Sequence, residues 1–130
     1  MAKPKYLISP YGSIEYYREW RAKNKDRTKV HRARYHTKHP IRKRYWDYRY
    51  SAKVRGIEFG INYEDFITFW RKPCVYCGKV VKTVGLDRVD NTHGYLNNNI
   101  VSCCSVCNRM KGVLTMEEFI KHCRLIANKQ

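Results

Sequence analysis

From Cys74 to Gly112 the chain reads CVYCGKVVKTVGLDRVDNTHGYLNNNIVSCCSVCNRMKG, and this stretch decides the fold. It opens on Cys74-x2-Cys77 and, 26 residues later, closes on Cys104-x2-Cys107. Each C-x2-C turns two sulfurs toward one point, so two of them can close a tetrahedral thiolate site around one Zn²⁺. A single C-x2-C is open to a redox reading; two copies favour metal. Cys103 can replace Cys104 at C-x3-C spacing, but Cys104 gives the better knuckle. The sixth cysteine, Cys123, falls on an apolar helical stripe and reads as a core thiol.

Between the knuckles, Val84 to Asp90 reads as a short strand, Asn91 to Tyr95 as a turn, and Ile100-Val101-Ser102 as a return strand. The second knuckle then opens a short helix carrying Asn108, Arg109 and Lys111. Strand, loop, strand and helix make a ββα unit with an acidic strand end facing a polar helix start. Such a pair can share one divalent metal.

GLDRVDNTHGYLNNNIVSCCSVCNRMKG closely resembles the zinc-stapled HNH, or ββα-metal, nucleases. Its Asp-Arg in place of the commoner Asp-His is similar to PacI-type restriction enzymes and phage-type homing nucleases. The resemblance covers roughly Cys74 to Gly112, less than a third of the chain. It implies an α+β fold, a ββα-metal core stapled by a four-cysteine zinc site. It also implies that Asp87 and Asn108 hold a catalytic Mg²⁺ or Mn²⁺, and that Asn99 ties the loop shaped by Gly94 and Tyr95. Arg88 stands where most relatives carry the general-base His. An arginine stays protonated and cannot be that base, so Arg88 is expected to clamp the scissile phosphate. Tyr76 matches a knuckle tyrosine of the PacI-type site. Beside Arg88 and a metal its pKa would fall, making it a base or a direct nucleophile; otherwise it is a ring packed over the zinc. His93 is a second candidate base or a plain loop histidine. Asp90 is read as a turn residue before a support of the site.

Working outward, the charge is uneven. The chain has 130 residues and a formal net charge of +16. Residues 1–55 hold 17 basic and 4 acidic side chains (17 − 4 = +13), and residues 56–130 hold 10 and 7 (+3). Ile, Leu and Val run the other way, 6 against 18, so the core is expected in the C-terminal part. The division expected is 1–56, a basic helical DNA-binding extension, and 57–130, the nuclease domain, with Gly56 closing a helix. In the extension, Ser13 caps a helix starting at Ile14, Pro40 interrupts, and a second helix runs from Ile41 to Arg55. There Tyr45, Trp46, Tyr48 and Tyr50 lie among Arg42, Lys43, Arg44 and Arg49. Rings among arginines suit nucleic acid, though the same rings can instead cover the core. Arg109 and Lys111 extend the expected DNA-contacting set.

In the C-terminal part, Asn62 with Asp65 marks a capped helix stopped by Pro73. Thr115 with Glu118 forms a capping box before the stripe Met116, Phe119, Ile120, Cys123 and Ile126, expected to face the core. No apolar run approaches the roughly 18 residues of a membrane span. Met1 to Pro10 lacks an apolar signal core, so an intracellular, non-secreted protein with reduced cysteines is expected. The partner expected is double-stranded DNA, with a possible homodimer; an anionic membrane surface suits the charge less well, for want of a clean apolar face. The other reading is a non-catalytic zinc module binding DNA or RNA. The trio Asp87, Arg88 and Asn108 discriminates, because a purely structural ribbon has no need of it.

Overall fold

The structure, a computed structural model, describes residues 13–129. The chain forms two compact units, dividing between His39 and Pro40. The first holds α1 (Ile14–Lys23) and α2 (Lys25–Lys38). The Ser13 side chain accepts the Tyr16 N–H and caps α1, as its sequence position requires. Asn24 separates the helices, leaving the αR region while its N–H bonds Trp20 O. Neither helix buries a residue, which fits their few aliphatic side chains and high charge.

The second unit holds α3 (Pro40–Val54), α4 (Tyr63–Ile67), β1 (Leu86–Arg88), β2 (Ile100–Ser102), α5 (Ser105–Lys111) and α6 (Met116–Ala127). The compact units divide 17 residues before the expected division after Gly56 (56 − 39), because α3 is part of the core. Tyr45 and Ala52 are buried with Ile61, Phe66, Leu86 and Tyr95. Tyr45 donates its hydroxyl hydrogen to Ile61 O at 3.1 Å, and Arg44 Nε donates to Val84 O at 3.1 Å. The Tyr48 phenol accepts the Leu86 N–H at 2.9 Å, satisfying a strand-edge donor that β2 does not reach. The rings of α3 therefore divide: Tyr45 and Tyr48 serve the core, whereas Trp46 and Tyr50 stay exposed. Gly56 does follow the helix at φ +66°, where glycine is unstrained.

The capped start at Asn62 is present, its side chain accepting the Asp65 N–H. The helix ends at Ile67 rather than running to Pro73. Turns follow, with Arg71 at φ +55°, which let Phe69 and Trp70 fold back on the core. The capping box at Thr115 and Glu118 is also present. The stripe it introduces is not a core face: Phe119 is buried, but Ile126 is 52% exposed. The aromatic residues of α3 and α4 already fill the core, so α6 packs Phe119 edge-on against Tyr76 instead.

The strands pair antiparallel, with Leu86 opposite Ser102, Asp87 opposite Val101 and Arg88 opposite Ile100. The expected strand over Val84 to Asp90 shortens to three residues. Alternation along β1 sends Leu86 into the core shared with α3 and Asp87 to the other face, toward α5. Gly85 precedes β1 where its carbonyl accepts the Cys103 N–H at 2.9 Å, and a Cβ there would collide with the Cys103 carbonyl oxygen. Gly85→Ala should therefore destabilise the domain by about 1–3 kcal/mol, as overpacking against backbone does, read as a lower urea midpoint at unchanged slope.

Candidate metal centre and active site

The sulfurs of Cys74, Cys77, Cys104 and Cys107 lie within 4.8 Å of one another and can hold a metal ion. Cys77 Sγ and Cys104 Sγ are 3.8 Å apart, about the edge of a tetrahedron with ~2.3 Å metal–sulfur bonds. Local structure makes the convergence. In the first knuckle, Gly78 at φ +73° turns the chain so that Cys74 N–H bonds Lys79 O and Gly78 N–H bonds Cys74 O. In the second, Cys104 caps α5 and its sulfur accepts the Cys107 N–H. Burial pushes the Cys74 thiol up, but backbone N–H groups of Cys104, Cys77 and Tyr76 outweigh it and bring the pKa down to about 6. Backbone N–H donation from Cys107 likewise lowers Cys104, while burial raises Cys107. Cys103 and Cys123 stand outside the four-sulfur group.

Behind this centre lies a buried polar cluster. Asp87 is 3% exposed. Its Oδ2 accepts the Tyr76 hydroxyl hydrogen at 2.6 Å, and its Oδ1 accepts from Lys111 Nζ at 3.2 Å. Lys111 Nζ also donates to Arg88 O at 3.0 Å. Asn108, one residue past the last knuckle cysteine, reaches back to β1 with Nδ2 at 3.4 Å from Leu86 O. Asp87 and Asn108 are thus brought to the same strand–helix junction.

Two expectations change here. Lys111 does not face solvent to meet DNA; it is 1% exposed and ion-paired with Asp87, so its ammonium cannot reach a phosphate. The signal for this was in the sequence. Lys111 lies four residues after Cys107, on the same helical face, and a face that sends a sulfur inward sends the lysine inward too. Tyr76 spends its hydroxyl hydrogen on Asp87 rather than standing as a free phenol. Burial, then its hydrogen bond to Asp87, pushes the phenol well above its ordinary value.

Arg88 turns to the loop instead. Its Nη1 donates to Asn91 O at 3.0 Å and His93 O at 2.7 Å, and its guanidinium lies 5.6 Å over the Tyr95 ring. Asn99 is buried and ties the same loop: Nδ2 donates to Asp90 O and Gly94 O, and Oδ1 accepts the Asp90 N–H. Asp90 is the turn residue, accepting from Thr92 N and Thr92 Oγ1. Those Thr92 bonds, helped by His93, hold its carboxyl down to about 2. His93 Nδ1 lies 3.0 Å from Asp90 Oδ2, on the exposed side of the loop. Of the remaining basic residues, Arg42, Lys43, Arg49 and Arg109 are exposed and Arg44 is half-buried. Lys43 pairs with Asp47 at 2.6 Å, Arg42 lies over the Tyr63 ring and Arg49 over Trp46.

A cysteine knuckle, a two-stranded hairpin and a helix opened by a second knuckle, in this order, make an HNH-like fold. The rare-cutting HNH restriction endonuclease PacI is similar in structure, with a TM-score of 0.54 and 21% sequence identity, over 65% of this chain and 75% of that one. An uncharacterized protein of Acanthamoeba polyphaga mimivirus is 39% identical over 87 residues. That match takes in 65% of this chain but only 16% of the viral protein, so the chain spans a small part of its relative's length. No protein-family model matches the chain.

The four-sulfur geometry makes a sharp prediction. Metal analysis of purified protein should give about one ion per chain. Cys77→Ala or Cys104→Ala should lose it and lower the melting temperature, whereas Cys123→Ala should keep both.

Proposed function

We propose that the protein is a metal-dependent DNA endonuclease that hydrolyses phosphodiester bonds. The observation that carries this reading is the placement of Asp87 and Asn108 at one strand–helix junction behind a four-cysteine site, in an HNH-like fold. The four thiols suit a structural Zn²⁺, the borderline-soft ion that such a set prefers. Asp87 and Asn108 offer oxygens, the donors a hard ion such as Mg²⁺ or Mn²⁺ takes. The carboxylate keeps a lone pair on each oxygen beyond those given to Tyr76 and Lys111, so the residues fit that ion. When bound, the ion supplies charge stabilisation at the scissile phosphate and the leaving oxygen.

The rest falls to side chains of this chain. Asn99 and Asp90 hold the loop rigid. In this reading Arg88, anchored by two loop carbonyls, clamps the phosphate. A proton acceptor is still required for the attacking water. Tyr76 serves only once its hydrogen bond to Asp87 is given up; His93, with Nδ1 against Asp90, leaves Nε2 for the task. The basic N-terminal part, 1–56, grips the duplex, with Arg42, Lys43, Arg44 and Arg49 as phosphate contacts, joined by Arg109 of α5. A homodimer would supply the two sites that double-strand cleavage needs. No described helix is long and apolar enough to cross a membrane.

The burial of Asp87 under an ion pair favours one rival, a zinc module that binds nucleic acid without cutting it. One experiment separates them: plasmid DNA incubated with the protein and Mg²⁺ or Mn²⁺. Nicked or linear product, reduced at least ~100-fold in Asp87→Ala with zinc content retained, is the expected result. DNA binding without cleavage under either ion refutes the endonuclease.

The grip has its own test. DNA affinity should fall with salt by roughly 0.9 log units per log unit of salt for each phosphate neutralised. The triple variant Arg42→Ala, Lys43→Ala, Arg49→Ala should lower that slope by up to about 3 without changing the metal content.

A further inference from the structure

Lys111 is the one cation placed inside the domain among the described residues, with its side chain at 0% exposure and that of Asp87 at 3%. An ammonium leaves water only for fixed partners. Lys111 has two, Asp87 Oδ1 at 3.2 Å and Arg88 O at 3.0 Å, so the last turn of α5 is tied to β1 across 24 residues of sequence.

This makes the two oxygens of Asp87 unequal. Oδ1 faces a fixed positive charge. Oδ2 faces a neutral hydroxyl on Tyr76, a side chain that is not fully buried and whose donated hydrogen can be withdrawn by one rotation. A divalent ion approaching Oδ1 meets a like charge against the oxygen it needs. One approaching Oδ2 has only a hydroxyl to displace.

We propose that Lys111 is a positioning residue of the nuclease site, which holds Asp87 through Oδ1 and so leaves Oδ2, under the Tyr76 hydroxyl, as the oxygen that takes up a divalent ion. This rests on the endonuclease reading of Asp87. Lys111 then restrains the carboxylate before the ion arrives and limits the carboxylate to one metal-facing oxygen. The site is preassembled, and binds its ion weakly in return.

The test uses the full-length, zinc-loaded protein and Lys111→Met, which keeps the stem and removes the charge. Mn²⁺ binding is followed by the electron paramagnetic resonance of the free ion, with Asp87→Asn as the blank. Thermal melting is followed with and without millimolar Mg²⁺. Lys111→Met should bind Mn²⁺ about tenfold or more tightly than the wild type. Its melting temperature should drop without Mg²⁺ and recover with it, whereas that of the wild type should barely respond. Equal Mn²⁺ affinity in the two proteins overturns the proposal.

If Lys111→Met fails to fold alone, refolding in Mn²⁺ decides. Recovery supports the proposal. Failure there overturns it, whether the doubly neutral Asp87→Asn, Lys111→Met protein folds or not. Cleavage by the wild type under the same ions reports separately on the reading beneath. A wild type that cuts, with an unaltered ion response in Lys111→Met, overturns the role of Lys111 alone. A wild type that binds Mn²⁺ through Asp87 and never cuts overturns the endonuclease.

Discussion

Two strands of three residues each do not hold together in water without help from outside the pair. The convergence of four sulfurs is the help on which everything downstream depends. It fastens the first knuckle to the start of α5, and α5 carries Asn108 and Lys111 to the face of β1 where Asp87 emerges. The hairpin is braced from its other face by α3, whose Tyr48 takes the edge N–H of Leu86. A small sheet is thus supported from both sides, by sulfur on one and aromatic rings on the other.

This arrangement explains how a carboxylate can be kept in the interior. Asp87 needs partners for both oxygens, and they come from two different supports: Tyr76 from inside the first knuckle, Lys111 from the helix that the second knuckle starts. Moving either knuckle would strip the carboxylate of one partner. The four-cysteine group and the polar cluster are therefore one mechanical unit, and damage to the sulfurs would be felt at Asp87.

Much of this was legible in the sequence because it depends on local rules. The knuckle spacing, the caps at Ser13, Asn62 and Thr115 and the return strand are each set by residues a few positions apart, and the loop-tying bonds of Asn99 are those the family resemblance implies. What escaped needed knowledge of who packs on whom. Lys111 reads as one more surface charge until β1 places a carboxylate beside it. Tyr45 and Tyr48 look like a nucleic-acid face until the fold sets their rings against Phe59, Phe66 and Tyr95. The α6 stripe has the right period for a buried helix, yet the core it would enter is already full. Periodicity identifies an apolar side; it does not supply something to cover it.

The bond from Leu86 to Tyr48 also bears on how such a chain could be assembled by recombination. Position 56 looks like a seam, with charge before it and core after it. A part exchanged at that seam would arrive without the ring that closes the edge of β1, and without Tyr45 and Ala52 from the hydrophobic centre. The natural joint lies upstream of Pro40, so inherited modules of this kind would carry α3 along with the hairpin and its cysteine cluster, and only the first two helices would be free to be traded.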